Sequence, residues 1–143
     1  MKIRFERSKG FSLVELLIVL AILAIIAAVS ISIFANVLEN QKRKSDMAQA
    51  SYLQSAIQTY ITDSDDSNLT RINNASDSVA DIVNGLKKAI VDNISNTEYG
   101  PYLKSDFNYG TRSNKYKGFE VTIDSTAQSV DVKLSTTSKV TFK

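Results

Sequence analysis

The sequence predicts an α+β protein. A long N-terminal helical spine, transmembrane in its first half and amphipathic in its second, packs on a small antiparallel sheet head of about three strands. Three observations carry this. A long uncharged apolar run lies near the N-terminus, no proline or glycine occurs between Phe11 and Gly85, and apolar and polar residues alternate from Phe119 onward. The 143 residues, 43% of them apolar, suit one modest core.

Charge and composition exclude several functions. Lys2, Arg4, Arg7 and Lys9 against Glu6 concentrate positive charge in the first ten residues, so the rest of the chain is close to neutral within a total of +2. That leaves no strong nucleic-acid signal. There is neither cysteine nor histidine. A disulfide framework, a thiolate or imidazole metal site and the commonest general base are therefore all missing. The expectation is a protein that is not an enzyme, with no catalytic residue, no cofactor and no metal.

The first element is the apolar run from Leu16 to Phe34, broken only by Ser30 and Ser32. A bilayer-spanning helix needs roughly 20 apolar residues, which this run supplies. The cations ahead of it predict a cytoplasmic N-terminus and place Gln41 to Lys143 outside the cytoplasm. A cleaved secretory signal ending near Ala27 and Ala28 is the competing reading, although its apolar core is usually only about 7 to 15 residues. Neither a plain anchor nor a signal explains Glu15, an acid at the edge of the apolar helix.

The stretch Lys9-Gly10-Phe11-Ser12-Leu13-Val14-Glu15-Leu16-Leu17 resembles the class III leader of type IV pilins and of the pseudopilins of related secretion and DNA-uptake machines. The resemblance implies a pilin-like fold and a membrane peptidase that cuts between Gly10 and Phe11 and methylates the new Phe11 amine. Residues 1–10 are then a removed leader, 11–35 the transmembrane and filament-core helix, and 36–143 the exported head. Glu15 becomes the fifth mature residue, and the resemblance implies that it pairs with the Phe11 amine of a neighbouring subunit during filament assembly. The chemistry is consistent: glycine lets a protease approach closely, and an intramembrane carboxylate is costly unless paired or protonated. The alternative is that Glu15 snorkels near the helix start, where an acid also suits the dipole. Many family members carry a glycine and a proline in this segment, matched here by Ala24 and Ser32. Their absence predicts a straighter helix, or melting assisted by Ser30 and Ser32 back-bonding.

Past the membrane the helical spacing persists, with Met47, Ala50, Leu53, Ile57, Tyr60 and Ile61 on one side. A single helix from Phe11 to Thr62 would be about 78 Å long. The charged link Glu39 to Asp46 reads as a solvated helix face or interfacial anchor, and its basic cluster Lys42 to Lys44 alternatively as a contact for acids on a neighbouring subunit. Asp63, Asp65 and Asp66 sit in a turn-forming stretch and hint at calcium, but the Gly and terminal Glu of an EF-hand loop are missing, so a solvated turn is expected. Ser78 and Asp81 form a capping-box-like start to a second helix with Val79, Ile82, Val83, Leu86 and Ile90 at core spacing.

From Tyr99 to Gly118 the chain reads as a loop rich in tyrosines and cations. Tyr102, Lys104, Tyr109, Arg112, Lys115, Tyr116 and Lys117 are its candidate surface-binding residues, set against the plainer reading of tyrosines laid over the helix with lysines in water. Phe119, Val121 and Ile123, then Val130, Val132 and Leu134, then Val140 and Phe142 predict three strands with one buried face, joined as an antiparallel meander. Asn68, Asn74 and Asn93 head N-x-S/T triplets that are common by chance.

The expected function is a structural subunit of a type IV pilus or similar extracellular filament. The alternatives are a minor pilin or pseudopilin of a type II secretion or competence machine, and a membrane-anchored adhesin. The expected partners are other pilin subunits, a prepilin peptidase and methylase, an assembly platform with its ATPase, and the membrane before assembly. The expected location is a single-pass membrane precursor and then a cell-surface pilus, with motility and adhesion as candidate roles.

Overall fold

The computed structural model describes residues 10–72, 75–76 and 78–143. The leader residues Lys2, Arg4, Glu6, Arg7 and Lys9, and Asn74, lie outside the described residues. The chain divides after Leu38 into two compact units, the second being Glu39–Lys143. Helix α1, Leu13–Ser64, runs through the boundary.

In the first unit every residue from Gly10 to Leu38 is exposed, among them Leu16, Ile25 and Ile31. The stretch is long and apolar enough to cross a membrane. Left in water, each of these side chains forgoes about 1.5 to 3 kcal/mol of burial. Ser30 and Ser32 turn their hydroxyls back onto the carbonyls of Ile26 (2.7 Å) and Val29 (3.0 Å), so neither adds an unpaired donor to the apolar surface. The helix is unbroken at Ala24 and Ser32.

In the second unit α1 presents Ala50, Leu53, Ala56, Ile57, Tyr60 and Ile61 to a core completed by α2, Val79–Leu86, and by the sheet. The α2 start is the one its sequence announces: Ser78 Oγ accepts from the Asp81 amide (3.2 Å) and donates to the Asp81 carboxylate (2.6 Å). Val79, Ile82, Val83 and Leu86 are buried as expected. Ile90 is buried too, but in strand β1, Ile90–Val91, which pairs with β2, Glu98–Tyr99. Met47 departs from the expected stripe and is 51% exposed.

The main sheet consists of β3, Gly118–Asp124, β4, Ser129–Ser135, and β5, Lys139–Phe142. Its strands and buried faces match the sequence, but it is not a meander. The order is β4-β3-β5, and β5 pairs parallel with β3. Two features account for this. The outer edge of β4 is already engaged by α1, because Gln54 Oε1 accepts from the Val132 amide (3.4 Å) and Gln58 Nε2 donates to the Gln128 carbonyl (2.7 Å). The β4–β5 link then passes the start of β3 at Gly118, where any Cβ would collide with Ser138. Mutual bonds between Lys143 and the Ile123 and Ser125 backbone close the far end of β5.

Candidate functional site

Two regions carry candidate chemistry. At the N-terminus, Ser12 caps α1: its Oγ accepts from the Val14 amide (3.4 Å), while its own amide donates to Glu15 Oε2 (3.0 Å). Ser12-Leu13-Val14-Glu15 is thus a capping-box variant, in which the hydroxyl takes the Val14 amide and not that of Glu15, and it supplies acceptors for two amide donors at the helix start. The S-x-x-E spacing was present in the sequence as its signal. Glu15 makes no ion pair among the described residues. Gly10 and Phe11 precede the helix and are exposed, and among the described residues nothing lies within 4 Å of a Cβ built on Gly10.

The second region is the tyrosine-rich loop. Its rings and cations segregate. Tyr102, Tyr109 and Tyr116 are half-buried, the first two packed against the core, whereas Lys104, Arg112, Lys115 and Lys117 are exposed. Tyr102 stands edge-on to Tyr60 with centroids 5.8 Å apart, and burial together with the neighbouring Asp63 carboxylate pushes its hydroxyl up to about 12. Tyr109 joins the rings packed on the core, and the Tyr116 carbonyl accepts from Thr111 Oγ1 (2.7 Å). The loop's cations surround no shared aromatic face, and the described geometry is that of a strap over the helix.

What ties the strap down lies in α1. Asp46, fully buried, accepts from the amides of Arg112 (2.9 Å) and Ser113 (2.9 Å). Glu39 accepts from Ser113 Oγ and from the Asn114 amide (3.1 Å). The Arg112 guanidinium reaches Ser45 Oγ at 3.4 Å. Both acids belong to the link expected to be a solvated face or interfacial anchor, and Asp46 is buried instead because it and Glu39 meet partners more than 60 residues away. Asp46→Ala removes both acceptors for buried amides at a cost of about 2 to 4 kcal/mol. The expected readout is faster hydrogen exchange at Arg112 and Ser113, with the Val121 and Val132 amides little changed.

A third constellation is structural. Asp66 sits at the end of α1 and accepts from Tyr60 Oη (2.5 Å), Thr70 N (2.9 Å), Thr70 Oγ1 (2.9 Å) and Arg71 N (3.0 Å). Burial alone would raise its pKa, but the Tyr60 hydroxyl and these amides outweigh that and hold the carboxyl below its ordinary value. Burial, then Asp66, drive the Tyr60 hydroxyl up. Arg71 extends the network, donating to the Ser64 carbonyl (3.1 Å) and to Asp92 (3.2 Å), with its guanidinium 5.9 Å from the Tyr99 ring centroid. The acid that hinted at calcium is therefore saturated by the chain's own donors, and among the described residues no group of three acids stands together as a metal site.

With the leader residues, the capping box and the exposed apolar helix in view, comparison with known proteins is informative. Residues 6–34 match the prokaryotic N-terminal methylation motif. The match takes in the stretch that resembles a class III prepilin leader and the apolar segment behind it. The chain is also 48% identical over 52 residues to a type IV wide pilus major component, PilA4, of Thermus thermophilus. The aligned stretch covers 36% of the present chain and 37% of that relative, so the likeness spans well under half of either protein. No solved structure matches the chain.

Proposed function

We propose that the chain is a structural subunit of a type IV pilus or pilus-like surface filament, cut between Gly10 and Phe11, methylated at Phe11 and assembled through its apolar helix. The observation that carries this reading is the conjunction of a methylation motif over residues 6–34 with an apolar helix whose whole surface lies exposed in the single chain. A membrane covers that surface in the precursor, and copies of the same helix cover it in the filament. Glu15, released from lipid, meets the Phe11 amine of a neighbour, an amine substantially cationic at neutral pH before methylation. The pair sets register more than it adds stability. A prepilin peptidase and methylase act on the leader, and an assembly platform with its ATPase extracts the subunit. The residue composition favours a structural subunit over an enzyme, for the chain has no cysteine or histidine.

The direct test is electron microscopy of sheared surface filaments from cells producing the native chain and the Gly10→Val variant. Filaments are expected from the native chain, and the variant is expected to keep its leader, stay in the membrane fraction and give none. Filaments of normal yield from a variant that retains residues 1–10 would refute the reading.

A further inference from the structure

The second unit buries its apolar residues well, and its large exposed hydrophobics among the described residues are few: Met47, Tyr52, Val91 and Ile94. Ile94 is the extreme case at 96% exposure. It sits at the tip of the β1–β2 connection, and that tip is held from several directions. Asp92 accepts from the Ile94 amide (2.9 Å), Ser95 Oγ (2.7 Å) and Arg71 (3.2 Å). Its backbone closes the turn with Thr97 (2.9 Å) and Asn96 (2.8 Å). Arg71 in turn bonds the Ser64 carbonyl, which anchors the hairpin at the end of α1. An isoleucine so fixed in water gains nothing for its own fold.

A matching recess lies toward the other end of the same helix segment. Met47 and Ala50 of α1, Val132 and Leu134 of β4, and Tyr116 line an open groove of about 320 Å³, with Arg43 at its rim. The groove opens where the glutamine contacts to the β4 edge stop, since Gln54 and Gln58 engage Val132 and Gln128 but no such side chain stands at Ala50 or Met47. The helix from Met47 to Ser64 separates groove and hairpin by about 25 Å along its axis. Charge agrees with shape. Glu98 is exposed directly opposite Val91 in the hairpin, and Arg43 is exposed with no ion pair among the described residues.

We infer that the Ile94 hairpin tip of one subunit seats in the Met47–Leu134 groove of a second copy of this chain, with Glu98 facing Arg43. A knob and a recess on different parts of one surface make a heterologous contact, which repeats without closing when the copies are related by translation along the helix axis. The contact adds a head-to-head link to the helix bundle. It rests on the filament reading, yet it can fail alone.

The chain's lack of cysteine makes the test clean. In sheared filaments carrying both Met47→Cys and Ile94→Cys, mild oxidation is expected to give a ladder of covalent multimers, because a disulfide requires Cα atoms within about 7 Å. Each single variant is expected to remain monomeric. Filaments that give no ladder, or dimers from Ile94→Cys alone, overturn the contact while leaving the filament reading intact. Absence of any filament from the native chain overturns both. Should the double variant not assemble, charge reversal decides: Arg43→Glu and Glu98→Arg each lower filament yield and the pair together restores it, and failure to restore refutes the contact. Ile94→Asp is expected to weaken the contact roughly ten- to a hundredfold.

Discussion

Glu15→Lys is expected to abolish filaments, and Glu15→Gln separates the two roles this side chain can play. In the single chain Glu15 accepts the Ser12 amide and completes a capping box. In the proposed filament it also supplies the negative partner for a neighbouring Phe11 amine. Lysine removes the acceptor and places a second cation beside that amine in an apolar core, a loss of at least about 2.5 to 3.5 kcal/mol for each subunit. Repeated at every subunit, that penalty is incompatible with a long polymer. Glutamine keeps an acceptor for the Ser12 amide but carries no charge. If pairing sets the register, Glu15→Gln should assemble poorly while its precursor inserts and is cut normally, as measured by filament yield against membrane-fraction mass. Normal filaments from Glu15→Gln would leave the cap as the residue's whole role.

The largest effect on the exported unit is expected from Asp66→Ala. Four donors converge on this carboxylate, and the Tyr60 hydroxyl among them belongs to a fully buried ring. Alanine strands them, at a cost of about 3 to 5 kcal/mol. That is a large share of a small domain's stability, which is only about 5 to 15 kcal/mol in all. Tyr60→Phe removes one donor and leaves the others, so it should cost about 1 to 2 kcal/mol. The same group fixes a pH response. Asp66 and Asp92 both have carboxyls held below their ordinary values, Asp92 chiefly by the Ile94 amide and the Ser95 hydroxyl. A depressed folded pKa contributes stability that is fully present above the unfolded value near 3.9 and is lost as pH falls through the folded one. Denaturant midpoints should therefore respond little to these two acids between pH 7 and 5 and fall below about pH 4, with the acid-dependent part smaller in Asp66→Ala.

The elements readable in the sequence were those with local, periodic causes. The absence of glycine and proline through Asn84 permitted one long helix, Ser78 and Asp81 marked the start of the next, and strict alternation from Phe119 marked the strands. Strand order was not readable in the same way. It depends on Gln54 and Gln58 reaching the β4 edge from α1 and on a close passage at Gly118, neither of which leaves a periodic trace. The N-terminal motif was legible because its residues are contiguous, and the S-x-x-E spacing from Ser12 to Glu15 carries the cap as well. Asp46, Glu39 and Arg71 act across more than 20 residues on partners of ordinary type, and so nothing local distinguished them from solvated charges. Tyrosines in the 99–118 loop combined two properties, ring area and a polar tip, and the core claimed the rings of Tyr102 and Tyr109.

A filament built on the retained apolar helix has a definite covalent signature. N-terminal sequencing and intact mass of the protein sheared from the cell surface should find a chain that begins at Phe11 and bears one added methyl group on its amine. A surface species beginning beyond Ile33, with the apolar segment discarded, would contradict assembly through that helix.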